Sequence, residues 1–317
     1  MTSPVETPAE TRPAPRSVAV AINPSTRRSA SIVRRAVAAA CPDGVDLYLI
    51  EISEPGGGAD IARRFAGVDL MVAAGGDGTV ADVATGLIGS PTPLAILPAG
   101  STNIVAQEIG VPLALGPAVQ RLFGAHRIIR RDAGMVGDRY FLHMAGAGLD
   151  AHFFTMADRE LKRRVGWVAY VPAAIEALKM PPTKFRITTE SEQLEVIAPL
   201  VLVANGGSVI HPRIMLDPSI RPDDGLFDVL AFTAVDQAAI ARTVARLAAF
   251  RLPGSPDMLT LKARQVTIES DQPVPVQLDG DVLGTTPATM EVVPKVVQLA
   301  APVIRPGILG VERQFAR

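Results

Sequence analysis

The chain has 317 residues, of which 48% are hydrophobic and 20% charged. That is enough apolar material for a sizeable core and, at roughly 100–200 residues per domain, for two domains. Lys plus Arg is 31 and Asp plus Glu is 32, a formal net charge of -1, and aromatic residues are 4%. This excludes a global electrostatic footprint for nucleic acid and argues against a base-stacking surface. Cys41, the single cysteine, excludes an internal disulfide and a multi-cysteine metal site, in keeping with a reducing compartment. No run of roughly 18 apolar residues passes without a charge or a breaker, so no transmembrane segment is expected.

Residues 1–16 are rich in Pro, Thr and Glu. They lack the basic start and apolar run of a secretory signal and read as a disordered arm. Val18 to Ile22 is a short apolar run stopped by Asn23-Pro24, the pattern of a buried strand ending in a turn. Ser29 to Ala40 has helical spacing. Val45 to Glu51 reads as a second strand and Ala59 to Ala66 as a short helix. Val68 to Ala74 is a third apolar strand running straight into Gly75-Gly76-Asp77-Gly78-Thr79. A helix over Val80–Ile88 and a strand over Leu94–Leu97 follow. Strands alternating with helices imply βαβ units and a parallel sheet over residues 17–132.

The rhythm then changes. Gly137-Asp138 between Met135-Val136 and Tyr140–Met144 suits a hairpin. Helical stretches are expected at Ala151–Arg164 and Trp167–Met180. Strands are expected at Lys184–Glu190, Leu194–Ala204, Leu226–Phe232, Val266–Glu269 and Val274–Leu278, with one helix over Val235–Phe250. Residues 133–295 thus read as a β-rich antiparallel sandwich. Within residues 296–317, Val296 to Ile304 has strand character that would let the chain return to the first domain.

Gly75 to Thr79 lies between a strand and a helix. Glycines there let the backbone approach a ligand, and a helix N-terminus offers free N–H groups that suit phosphate. Asp77 adds a carboxylate for Mg²⁺ or a sugar hydroxyl, and Thr79 adds a hydroxyl at the cap. A tight strand-to-helix turn would give the same pattern. Neither G-x-x-x-x-G-K-[ST] nor G-x-G-x-x-G is present, which excludes a P-loop and a dinucleotide fingerprint. Pro98-Ala99-Gly100-Ser101-Thr102-Asn103 repeats the logic after the next strand, where Ser101, Thr102 and Asn103 cap a helix or contact a nucleotide. Parallel-sheet ligands bind beyond the carboxyl ends of the strands. Asn23-Pro24, Gly75–Thr79 and Gly100–Asn103 are expected to converge there. The four histidines, His126, His143, His152 and His211, show no metal-ligand spacing and receive no role.

In this order the segments resemble the soluble diacylglycerol kinase family of lipid kinases, which includes sphingosine and ceramide kinases and is distantly related to NAD kinases. Asn23-Pro24, Gly75–Val80 and Pro98–Asn103 resemble its nucleotide-binding segments. Gly146-Ala147-Gly148-Leu149-Asp150-Ala151, Asn205-Gly206, Pro218 to Val229 and Gln277-Leu278-Asp279-Gly280-Asp281 resemble its second-domain signatures. The likeness runs from Val18 to about Pro294.

The resemblance implies an α/β nucleotide domain and a β-rich acceptor domain with the active site between them. It implies ATP and Mg²⁺ as cofactors and a lipid hydroxyl as acceptor, most simply diacylglycerol converted to phosphatidic acid. Asp279 is then the general base and Asp77 a second catalytic carboxylate. Asp224, Asp228 and Asp223 would carry a structural Mg²⁺, and Asp281 would serve a magnesium-bound water. A cytoplasmic protein acting peripherally on a membrane surface follows, with a homodimer left open.

The departures are Ile104 after Asn103, His211-Pro212-Arg213 where the family has glycines, and Ser25-Thr26-Arg27-Arg28 after Asn23-Pro24. Arg27 and Arg28 could pair with ATP phosphates or be surface charges. The basic residues Arg159, Lys162, Arg163 and Arg164, before Trp167 and Tyr170, suit either an anionic membrane surface or a helix packed on the second domain. A sphingoid-like lipid or another alcohol as acceptor, and an inactive nucleotide-binding regulator, stay open as alternatives.

Overall fold

The computed structural model describes residues 10–26, 28–100, 102–148, 182–209, 211–249 and 251–303. Element numbers below count the described elements only. The helical stretches expected at 151–164 and 167–180, the basic and aromatic residues within them, and Arg27, Ser101, Leu149, Asp150 and Ala151 lie outside these residues.

The first half alternates as its apolar runs require. β1 (Thr11–Arg12) is followed by β2 (Ser17–Ile22), α1 (Ala30–Ala40), β3 (Asp46–Glu51), α2 (Gly57–Arg64), β4 (Leu70–Gly75), α3 (Asp77–Leu87) and β5 (Leu94–Pro98). β3, β2, β4 and β5 pair in that order, all parallel. β4 and β5 are buried along their whole lengths and β2 along all but its first residue. That explains why they read as unbroken apolar runs rather than alternating ones. α1 turns Val33 and Val37 onto this sheet. α4 (Ile104–Glu108) and α5 (Leu115–Leu122) complete the helical layer.

The second half is antiparallel. It comprises β6 (His126–Val136), β7 (Arg139–Phe141), β8 (Met144–Gly148), β9 (Thr183–Thr189), β10 (Gln193–Ala198), β11 (Leu200–Ala204), β12 (Ser208–Val209), β13 (His211–Met215), β14 (Phe227–Phe232), α6 (Gln237–Ala248), β15 (Met258–Ala263), β16 (Gln265–Ser270), β17 (Pro275–Leu278), β18 (Asp281–Thr285) and β19 (Ala288–Pro302). A six-stranded sheet, β15-β14-β11-β8-β17-β18, faces the antiparallel part of a larger sheet. Phe185, Ile187, Val266, Ile268 and Met290 of the larger sheet meet Ala145, Val201, Val203 and Val229 of the smaller one in a single apolar core. Phe141 and Phe227 stack there with centroids 5.6 Å apart. The chain is thus an α/β unit with a parallel sheet and helices, joined to a β-rich antiparallel sandwich.

Three expectations are corrected. Leu194–Ala204 is not one strand. Pro199 has no N–H to donate, so the run splits into β10 on the large sheet and β11 on the small one. β15, unforeseen, pairs with β14 through Leu259 and Leu261 opposite Ala231 and Val229. The final strand begins at Ala288, well before Val296. β19 pairs antiparallel with β16 and β6 and parallel with β5 at Leu299↔Leu94, which makes the large sheet continuous at eleven strands. β6 runs through residue 132 and β19 through residue 295, so two strands bridge the halves of the molecule. Among the described residues no helix is long and apolar enough to cross a membrane.

Candidate active site

The three loops beyond β2, β4 and β5 come together. Asn23 Nδ2 donates to Thr79 Oγ1 at 2.8 Å, and the Asn23 N–H donates to the Ala74 carbonyl at 3.0 Å. Gly76 and Gly100 meet backbone to backbone: a Cβ on Gly100 would stand 2.5 Å from the Gly76 Cα. Asn103 adopts φ 52, and its Oδ1 accepts from the Gly100 N–H while its Nδ2 donates to the Gly100 carbonyl, both at 2.9 Å. Asn103 therefore closes its own loop rather than capping α4 with its side chain. Gly100→Ala is expected to cost about 1–3 kcal/mol, because backbone and not a flexible side chain must move. Gly116→Ala on α5, with open space around its Cβ, is expected to cost nothing. Urea midpoints of the two variants check this.

Asp77 opens α3 and points its Oδ1 at the Val105 N–H, 3.3 Å away. Burial pushes its pKa up to about 6, against the pull of His143 and the α4 N–H groups, and nearby Asp279 pushes the same way. Asp279 follows β17 in the left-handed region, φ 49, which Asp adopts more readily than most residues. Its Oδ1 accepts from the His143 and Met144 N–H groups at 3.0 and 2.9 Å, and its Oδ2 from the Leu142 N–H at 2.7 Å. Burial nonetheless raises its pKa, outweighing these donors. A carboxylate offers about four lone-pair sites, and three are engaged. Among the described residues, Oδ2 takes one backbone donor and Oδ1 two. The turn beyond it is pinned by the Gly280 N–H donating to Gln277 Oε1 at 2.5 Å. A Cβ on Gly78 would lie 3.1 Å from Asp281 Oδ2, so this turn faces the glycine loop.

The acidic residues expected to share a metal fall in different places. Asp223 pairs with Arg221 at 3.3 Å. Asp224 and Asp228 share the Lys262 ammonium at 3.7 and 2.9 Å. Burial raises the Asp228 pKa ahead of the Lys262 contact, and its Oδ1 is buried without a hydrogen-bond partner. Asp281 stands apart at Gly78. Among the described residues no three His, Cys, Asp or Glu side chains gather to hold an ion. A cation bound mainly by waters and phosphate oxygens needs only one or two carboxylates. Asp77 and Asp281 at the loop fit that need, whereas Asp224 and Asp228 share the single Lys262 ammonium.

Several residues at the site carry no local sequence signal. Asp132 is fully buried and holds the acidic loop from behind. Its Oδ2 accepts from the Gly225 N–H and its Oδ1 from the Lys295 N–H, both at 2.7 Å. Asn205 Nδ2 donates to the Asp132 and Leu142 carbonyls at 2.9 and 2.8 Å. His143, buried, presents Nε2 to the Ser208 carbonyl, and its Nδ1 lies 3.9 Å from Glu108 Oε1. Glu108 accepts from Ser208 Oγ and from Arg131 Nη1, each at 2.5 Å. Burial opposes its charge, but Arg131, His143 and Ser208 together hold its pKa below the usual carboxylate range. Only the Asn205-Gly206 pair had been marked by a motif.

Comparison with known proteins supplies the remaining findings. Residues 17–136 match the family model of the diacylglycerol kinase catalytic domain, and residues 143–301 match that of the YegS C-terminal NAD kinase beta sandwich-like domain. A Chromohalobacter salexigens protein named "Probable lipid kinase YegS-like" is 31% identical over 85% of this chain and 88% of its own. The "Diacylglycerol kinase" of Bacillus subtilis is 29% identical over 69% of this chain and 73% of its own. A Synechocystis protein is 28% identical over 75% of this chain, a stretch that spans only 56% of its own length. A crystal structure of a Bacillus anthracis protein superposes with a TM-score of 0.75 at 23% identity, covering 95% of this chain and 98% of that one. That last likeness is one of fold.

Proposed function

The chain belongs to the diacylglycerol kinase catalytic-domain family of lipid kinases, and from that membership we propose that it transfers the γ-phosphoryl group of ATP to the hydroxyl of diacylglycerol, giving phosphatidic acid. The observation that carries this reading is the Asp279 carboxylate, held by three backbone donors near Asp77, in the turn whose Asp281 faces Gly78 of the glycine loop.

In this reading Gly75, Gly76, Gly78, Gly100 and Thr102 offer backbone to the nucleotide, and Asn23, Pro24, Thr79 and Asn103 hold the loop shape. The acceptor oxygen bonds to the γ-phosphorus as the bond to the β–γ bridging oxygen breaks, and ADP leaves with that electron pair. The hydroxyl proton passes to Asp279. A raised pKa suits this task, since it makes the carboxylate a stronger base. Mg²⁺, when bound with the nucleotide, would supply neutralisation of phosphate charge, which phosphoryl transfer requires beside alignment. Asp77 and Asp281 are the residues we assign to hold it. We assign Asp223, Asp224 and Asp228, with Lys262, to shaping the wall of the site. Diacylglycerol resides in membranes, so the enzyme would act at a membrane surface.

The test is transfer of label from γ-labelled ATP, with Mg²⁺, in mixed micelles. Acceptors are diacylglycerol, monoacylglycerol, sphingosine and ceramide, with NAD beside them. Labelled phosphatidic acid is expected, and it should vanish with Asp279→Asn. A labelled sphingoid or labelled NAD would replace the acceptor. Nucleotide binding without any transfer would replace the enzyme with a regulator.

A further inference from the structure

A circuit of polar contacts joins the nucleotide loop to the base. It starts at Asp77, whose Oδ1 accepts from the Val105 N–H at 3.3 Å. α4 then carries the chain from Val105 to Glu108, about 4.5 Å along the helix axis at about 1.5 Å per residue. Its last residue, Glu108, accepts from Ser208 Oγ at 2.5 Å and is anchored on its other oxygen by Arg131 at 2.5 Å. The Ser208 carbonyl contacts His143 Nε2. A carbonyl only accepts, so Nε2 carries the hydrogen. The peptide N–H of the same histidine donates to Asp279 Oδ1 at 3.0 Å. The histidine is confined from the far side as well: a Cβ on Gly206 would stand 2.2 Å from its Nδ1, and the Asn205 and Gly206 N–H groups both donate to its carbonyl at 2.9 Å. Every link is buried or half-buried, where hydrogen bonds weaken least by exchange with water.

We propose that Glu108 is a positioning residue for phosphoryl transfer: by anchoring Ser208, and through its carbonyl the ring of His143, it fixes Asp279 relative to Asp77. This rests on the kinase reading above. Glu108 touches neither substrate in this account. Its effect is on alignment, which phosphoryl transfer requires together with charge neutralisation.

Ser208→Ala cuts the link while leaving the Arg131–Glu108 pair and the Ser208 carbonyl in place. Glu108→Gln keeps the volume and removes the charge. For Ser208→Ala, kcat is expected to fall about tenfold, the effect of one lost hydrogen bond to a charged group. The KM values for ATP and lipid should stay within about twofold of wild type. Amide exchange at Leu142, His143 and Met144 is expected to quicken about tenfold in both variants. The amides of Met71 to Ala74 in the central sheet should not change. Unchanged exchange at residues 142–144 overturns the proposal, whatever the rate does. A wild-type protein that phosphorylates no lipid defeats the kinase reading, and the exchange measurement then decides only whether Glu108 fixes the segment that holds Asp279.

Discussion

Asp279→Asn is expected to lower kcat by about 10²–10⁴-fold, the range spanned by a positioned general base. Asparagine is the informative substitution because residue 279 has φ 49, a conformation Asn accepts and Ala does not. It preserves one carbonyl oxygen for the paired His143 and Met144 donors and turns an NH₂ toward the Leu142 N–H, which bonds Oδ2 at 2.7 Å in the wild type. One buried donor left facing another costs about 1–3 kcal/mol. Removing a carboxylate whose pKa burial has raised works in the opposite direction. The two oppose each other, and kcat is read per folded molecule. Nucleotide affinity, measured by titration calorimetry, should be retained. A kcat within tenfold of wild type would remove Asp279 from its assigned role.

Asp77→Asn should move activity and stability in opposite directions. In the fold burial raises the Asp77 pKa to about 6 from 3.8. Between those values the folded state holds a proton that the unfolded state has released. Wild-type stability from this group is therefore full below pH 3.8 and declines as pH rises through 6. Above pH 6 the ionised side chain costs up to about 3 kcal/mol, at 1.36 kcal/mol per pH unit. Asparagine pays no such cost and keeps an oxygen for the Val105 N–H. The variant should be the more stable protein at pH 7.5, with the difference shrinking toward zero near pH 4, when denaturant unfolding of ligand-free protein is compared at both values. Kinase activity should drop about 10²-fold through loss of charge at the phosphate site. A variant less stable than wild type at pH 7.5 would show that burial does not dominate at Asp77. A functional carboxylate held at a cost in stability is what a trade between the two predicts.

The glycine segments were readable because their chemistry is local. Gly75 to Thr79 and Gly100 to Asn103 each lie at one strand-to-helix turn, and backbone freedom with cap residues marks such turns from nearest neighbours alone. Asn103 was expected to cap or to contact nucleotide. It makes no side-chain cap: its left-handed backbone folds its side chain onto Gly100, an outcome residue type does not dictate. The acidic run Asp223–Asp228 looked like one cation site because its residues are close in sequence. Lys262, 34 residues from Asp228, lies beside Asp224 and Asp228, a partner that the acidic run does not announce. His143 was passed over because metal spacing was the criterion. Its partners lie at Glu108, Ser208 and Asp279, and the pairing with Asp279 spans 136 residues.

Asp279 as candidate base came with the family resemblance, whereas the sequence by itself determined the alternation of buried parallel strands and helices, the strand-rich second half and the glycine loops. Each rests on periodicity, backbone permission or a short motif, all properties of neighbours along the chain. The tertiary structure decided that β19 runs from the sandwich to β5 and makes one sheet of eleven strands. It also decided that Pro199 sends adjacent strands to different sheets, and that Glu108, Ser208 and His143 tie Asp77 to Asp279. Those outcomes depend on which distant groups share a buried space. There, desolvation makes every unpaired polar atom costly, and so selects partners that spacing along the chain does not reveal.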